Sequence, residues 1–243
     1  MSVQIGVFFD KQDVEKLISS LMTLPEALIP KIFSSSENRK YKKDQVADKE
    51  RFESFKQRNP AGFFLYAESC TYNLFIHSKG YSILYVDEFK FGQDYKLIRH
   101  IFRATLSVRP VFGYAAEFDE RKHRNVYEIT IGMNHIEDGV GRDPDKYIPG
   151  VYWQTLLPDA LLSKHHVDLA SLETEAISSE TLGDGSFHLL KFYESPDDWK
   201  LNAERLDNLC QRTDGIFSKK SVELAVAGVE TFQEYDDIIF EWR

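Results

Sequence analysis

SVRPVFGYAAEFDE (107–120) and YIPGVYWQTLLPDALL (147–162) decide the fold. In the first, residues 111–118 read as a strand of β-branched and aromatic residues. In the second, Pro149-Gly150 signals a turn and Val151-Tyr152-Trp153 opens a strand running to Leu156. Pro158 and Asp159 then begin a helix that carries Leu161 and Leu162. Between the two stretches lies an acidic, glycine-bearing loop, 137–145. Nothing in this region spells a nucleophile, a metal cage or a phosphate cradle. It mounts an aromatic and acidic surface on a rigid turn, which points to recognition before catalysis.

Outward from this stretch the chain alternates strands and helices. Residues 3–9 read as a strand, and Asp10 caps a helix whose stripe is Val14, Leu17, Ile18 and Leu21. Pro25 opens a short helical turn through Leu28. Residues 34–58 are polar, with eight basic and five acidic side chains, and form the candidate mobile excursion; Phe52 and Phe55 anchor its helical end. Three strands follow, 62–67, 72–77 and 81–86, with Ser78-Lys79-Gly80 as a hairpin turn. A helix over 93–106 turns Tyr95, Ile98, Phe102 and Leu106 inward. Residues 126–133 are expected to pair antiparallel with 111–118 across a charged link, 119–124. A second hairpin, 177–182 with 187–192, turns at Gly183-Asp184-Gly185. Ser195-Pro196-Asp197-Asp198 caps a long helix with Trp199, Ala203, Leu206 and Cys210 on its stripe.

The order of strand, Leu-Pro helical segment, hairpin strands and long helix occurs in 1–108 and again in 150–212, which suggests a pseudo-repeat. The expected class is α+β, mostly antiparallel sheet with helices packed on one face. The expected organisation is one compact domain, 1–243, with halves 1–109 and 110–243.

Charge is unevenly divided. Residues 1–109 hold 17 basic and 13 acidic side chains (+4), and residues 110–243 hold 13 and 26 (−13), which sum to the chain's net −9. An acidic half repels nucleic acid and anionic membrane and accelerates encounter with a basic macromolecule. The plainer role of such acids is solubility. Cys70 and Cys210 lie far apart in core-like runs and read as free, buried thiols of a reducing compartment. The N-terminal residues have no signal-peptide pattern and no apolar run reaches membrane-spanning length, so the expected address is cytoplasmic.

Val108-Arg109-Pro110-Val111-Phe112-Gly113-Tyr114-Ala115, followed by Ile148-Pro149-Gly150-Val151-Tyr152-Trp153-Gln154-Thr155-Leu156-Leu157, resembles a paired signature of bacterial polymorphic-toxin immunity proteins. In those proteins a Pro-x-x-Gly-Tyr-Ala strand precedes a Gly-x-x-Trp-x-Thr-Leu-Leu segment. The family, long carried as a domain of unknown function, includes immunity proteins encoded beside type VI secretion effectors. The resemblance covers roughly residues 105–212. It departs at Ser163-Lys164-His165-His166, where the family often has glycine-rich sequence. It implies an inhibitor that binds and neutralises a cognate toxin without catalysis or cofactor. A basic toxin domain is the expected partner, and self-association is left open.

The candidate partner-binding residues are Glu137, Asp138, Asp143, Asp145, Tyr147, Tyr152 and Gln154, with a second set at Glu234, Tyr235, Asp236 and Asp237. On a strand of alternating faces, one of Tyr152 and Trp153 belongs to the core and the other points out. The catalytic alternative is a metal-dependent hydrolase using the loop 137–145 and a histidine. Its spacing does not match a calcium loop, and His165-His166 with Asp168 has no zinc-like partner. No catalytic, metal or cofactor residue is therefore assigned.

Overall fold

The computed structural model describes residues 3–38, 40–78, 80–87 and 95–243. Two compact units emerge, Ser2–Ala115 with Thr181–Phe187, and Ala116–Glu180 with His188–Arg243. The fold is α+β.

The first unit is a twisted ladder laid down by alternating apolar residues. Its elements in chain order are β1 (Val3–Phe9), α1 (Val14–Leu21), β2 (Ile32–Ser34), α2 (Lys49–Arg58), β3 (Gly62–Tyr66), β4 (Thr71–Phe75), β5 (Ser82–Asp87), α3 (Lys96–Thr105) and β6 (Phe112–Glu117). The strands lie in the order β6-β1-β5-β4-β3-β2, and the ladders from β1 through β2 are antiparallel. One cross-strand row runs Ile5, Val86, Tyr72, Leu65, Phe33. Every member of it is buried, so a one-residue slip of any strand would turn core side chains to the other face.

Two details explain local sequence choices. A Cβ on Gly6 would sit 2.4 Å from Tyr114 Cε1, so the glycine makes room for the tyrosine ring. The Tyr114 of the Gly-Tyr-Ala motif is thus buried scaffold. Asp48 caps α2, accepting from the Arg51 amide. Phe52 stacks on Phe33, Phe55 packs against the same ring at a tilt, and both meet Phe63 edge-on, which anchors the end of the polar excursion as its aromatic spacing predicts. The expected helix start at Gln93 and the turn residue Lys79 lie outside the described residues.

The second unit begins with α4 (Phe118–Asn125), where a charged link between paired strands was expected. The Glu117 carboxylate accepts from the Asp119 amide at 2.6 Å. Asp119 and Glu120 occupy the first turn and Lys122, His123 and Arg124 the last. Acids at the positive end and bases at the negative end complement the helix dipole. What reads as mixed charge is therefore an ordered cap-to-cap pattern. As a consequence, β7 (Val126–Ile131) pairs with β8 (Asn134–Gly139), not with 111–118, in a separate two-stranded antiparallel sheet. The turn is at Gly132, whose φ of 61° suits glycine. The acidic loop 137–145 is accordingly a strand end for its first three residues.

The chain continues through β9 (Gln154–Pro158), α5 (Asp159–Lys164), α6 (Leu169–Glu175), β10 (Ser178–Leu182), β11 (Phe187–Lys191), α7 (Trp199–Arg212), α8 (Lys219–Ala225) and α9 (Phe232–Ile239). The three strands lie in the order β10-β11-β9. Ser195 and Asp198 form a capping box ahead of α7, as the sequence predicts. The strand expected from Val151 starts only at Gln154, because Trp153 is fixed by polar ties: its indole donates to the Tyr193 carbonyl at 2.9 Å and its carbonyl accepts from the Phe192 amide at 2.9 Å. No helix is expected from the sequence beyond residue 212, yet α8, α9 and the β7–β8 hairpin enclose a small core of their own. Ile131, Val140, Tyr147, Phe217, Val222, Val226, Tyr235 and Ile239 form it.

Candidate functional site

The acids and aromatics singled out in the sequence gather around this small core, but the structure sorts them into two kinds. Tyr147, Tyr152 and Tyr235 are buried. Tyr147 donates to the Trp242 carbonyl at 2.8 Å, and Tyr152 donates to the Asn125 side chain. Tyr235 donates to Asp138 Oδ2 at 2.8 Å and stacks on Tyr127. Burial, with the neighbouring Asp138 charge, pushes the Tyr235 phenol up. The expectation of exposed aromatic anchors along 147–154 is therefore corrected. Tyr152 and Trp153 both face inward, because an irregular backbone at 149–153 does not alternate as a strand does.

Among the acids, Asp138 is structural. Besides Tyr235 it receives Arg243 Nε at 3.1 Å and Nη2 at 3.0 Å, holding the C-terminal residue onto the hairpin. Asp143 accepts from the Asp145 amide at 2.9 Å and shapes the turn. Asp145 pairs with Lys164 at 2.5 Å, and Gln154 is half-buried at the start of β9. Glu234 closes a capping box with Thr231, and these hydrogen bonds hold its carboxyl below the usual range.

Glu137, Asp236 and Asp237, with Asp145 and Glu234, are the predicted acids that stay exposed. Glu137 is exposed on β8, 3.4 Å from Lys122. On α9, Asp236 is exposed and pairs with Arg243 at 2.7 Å, and exposed Asp237 accepts from Gln233 at 2.8 Å. Surface pairs of this kind contribute little to stability, so their carboxylates remain exchangeable. The same helix face carries two residues that sequence reasoning missed, Phe232 at 50% and Phe240 at 65% exposure. Phe232, Asp236 and Phe240 follow the i, i+4, i+8 spacing of one helical stripe. The inward positions Tyr235 and Ile239 are buried in the small core. That spacing was available in the sequence; the helix that gives it meaning was not read. Lys146 fixes the end of α9 by donating to the Phe240, Glu241 and Arg243 carbonyls.

Beneath α4 lies a second feature that sequence reasoning did not single out. Glu120 and Arg124 are buried. Arg124 Nε donates to Glu120 at 3.2 Å and Nη1 to Asp207 at 2.7 Å. His123 Nε2 lies 2.8 Å from the other Asp207 oxygen. Burial pushes the Glu120 carboxyl up against the opposing charge of Arg124. Burial also acts to raise Asp207, but the hydrogen bond from His123 and the Arg124 charge outweigh it and hold this carboxyl down. Asn125, next in the chain, donates to the Val140, Gly141 and Pro149 carbonyls. The i, i+4 spacing of Glu120 and Arg124 was a legible signal for the pair; its burial was not.

His165 Nε2 lies 2.9 Å from the Pro144 carbonyl and His166 is exposed. His135 stands on β8 within 4.0 Å of Glu128. Among the described residues no group of three or more His, Cys, Asp or Glu side chains is arranged to hold a metal ion, and no helix is long and apolar enough to cross a membrane. Cys70 and Cys210 are free and buried. No protein-family model and no curated protein matches the chain.

Proposed function

We propose that the chain is an immunity protein that binds and neutralises a basic toxin domain without catalysis, using the outward face of α9. The observation that carries this reading is the solvent-facing stripe Phe232–Asp236–Phe240 with Asp237 beside it. Two aromatic rings held in water on an ordered helix supply contact area, and the carboxylates around them exclude anionic partners and attract cationic ones. The −13 balance of residues 110–243 adds a field of the same sign. The toxin class itself rests on the resemblance of 105–212 to immunity proteins.

Coexpression with the product of the gene directly upstream tests the reading. The expected result is a stable complex and protection of the host cell. Protection should disappear in Phe232→Ser/Phe240→Ser while the variant keeps its fold by circular dichroism. A chain that neither binds that product nor protects against it contradicts the reading.

A further inference from the structure

The first unit carries the chain's basic excess, and residues 34–58 alone hold eight basic and five acidic side chains. Within it, residues of the segment 33–44 and one side of α2 line a groove of about 460 Å³. Phe33 and Phe55, both buried, with ring centres 4.5 Å apart, form its apolar floor. Tyr41 stands on its wall at 51% exposure. Three bases line the groove, Lys43, Arg51 and Arg58, against a single acid, Asp44. All three bases are exposed, so a ligand arriving from solvent can reach them.

These charges are not matched within the groove. Asp44 is taken by Arg51, which donates Nε at 3.0 Å and Nη2 at 2.6 Å. Arg58 donates Nε to the Ser54 carbonyl at 3.1 Å, which leaves its charge without a counterion. Two nearby acids are committed elsewhere, Asp48 to the cap of α2 and Glu53 to Lys56. Lys43 lies over the Tyr41 ring, 5.8 Å from its centre, so a cation and an accessible aromatic face present themselves together. We infer that this groove binds a nucleotide, with its phosphate between Lys43 and Arg58 and its base against Tyr41. The guanidinium fork suits phosphate oxygens, the ammonium adds charge without geometric demand, and an aromatic face stacks any base. The volume is that of a small-molecule site. The net −9 of the chain disfavours a long polyanion but weighs little on a single nucleotide. The site shares no residue with the α9 stripe, so its failure leaves the toxin-binding reading standing.

Titrating the full chain with AMP, and separately with UMP, at constant ionic strength tests it by amide NMR. The expected result is a saturable shift centred on Tyr41, Lys43, Arg58 and Asn59 for both nucleotides, because stacking tolerates either base. Inorganic phosphate and uncharged adenosine each satisfy half of the site and should bind at least about tenfold more weakly than AMP. Tyr41→Ala should weaken AMP binding about tenfold, while Tyr41→Phe keeps the ring and the affinity. Lys43→Ala/Arg58→Ala should bring AMP down to the level of adenosine. All these positions are exposed, and circular dichroism checks that each variant is folded. No saturable shift with either nucleotide, phosphate or adenosine binding as tightly as AMP, or unchanged affinity in folded Tyr41→Ala overturns the inference. Binding of a single-stranded oligonucleotide without binding of either mononucleotide overturns it as well.

Discussion

The α4–α7 interior and the α9 surface are both built on carboxylates and use them in opposite ways. In the interior, Glu120 and Asp207 converge on one guanidinium and lock two helices together. On the surface, Asp236 and Asp237 touch only exposed partners on or next to their own helix. The acid excess of the second unit is thus two populations. One is committed to the fold, and the other is free to meet a partner. Net charge alone does not separate them; the position of each acid relative to a buried base does.

The sharpest way to break the distinction is to remove the base. Arg124→Met should destabilise the chain by about 3–5 kcal/mol, because it leaves Glu120 buried beside an incomplete network. Chemical denaturation checks this, and a loss below about 1 kcal/mol would mean the cluster is incidental. Gly141→Ala should cost about 1–3 kcal/mol. Its φ of 68° is strained for alanine, and the new Cβ would stand 2.2 Å from the Phe217 ring in the small core. That loss should be accompanied by faster hydrogen exchange in α8 and α9.

These two substitutions also mark where the sequence could be read. The first unit's strands were legible because alternation and hairpin turns are local, as in 62–67 and 72–77. The capping signal at Ser195 worked for the same reason, whereas Asp10 caps the 3₁₀ turn 11–13 that leads into α1. The β7–β8 sheet was misassigned because pairing 111–118 with 126–133 requires a loop at 119–124, and the charge order there favours a helix. Tyr147, Tyr152 and Tyr235 were mistaken for surface because a tyrosine in an acidic run looks amphipathic, whereas each hydroxyl finds an internal acceptor. Phe232 and Phe240 went unnoticed because their meaning depends on which side of α9 the core occupies.

Acidity should sharpen the comparison further. The folded pKa of Asp207 is depressed, so its contribution is present above the unfolded carboxylate pKa and is lost as pH falls through the folded value. Glu120 is raised and has the opposite sign: its contribution is present below the unfolded pKa and is lost as pH rises through the folded one. Asp207→Asn should therefore lower stability at neutral pH by less than about 1 kcal/mol after solvent screening and converge with the parent in acid. Glu120→Gln should remove the decline on the alkaline side. Urea midpoints across pH check both, and parallel curves for all three proteins would contradict the assignment. At the small end, Asp236→Lys/Asp237→Lys should change stability by no more than about 0.5 kcal/mol.

That same double variant gives the most direct test of the central claim, that the surface carboxylates of α9 steer a basic partner. Association with the purified toxin domain is followed by stopped-flow at low and at high salt. The parent should associate faster at low salt, and Asp236→Lys/Asp237→Lys should slow the rate by about tenfold or more and flatten its salt dependence. A folded variant that associates as fast as the parent, with the same dependence on salt, would contradict it.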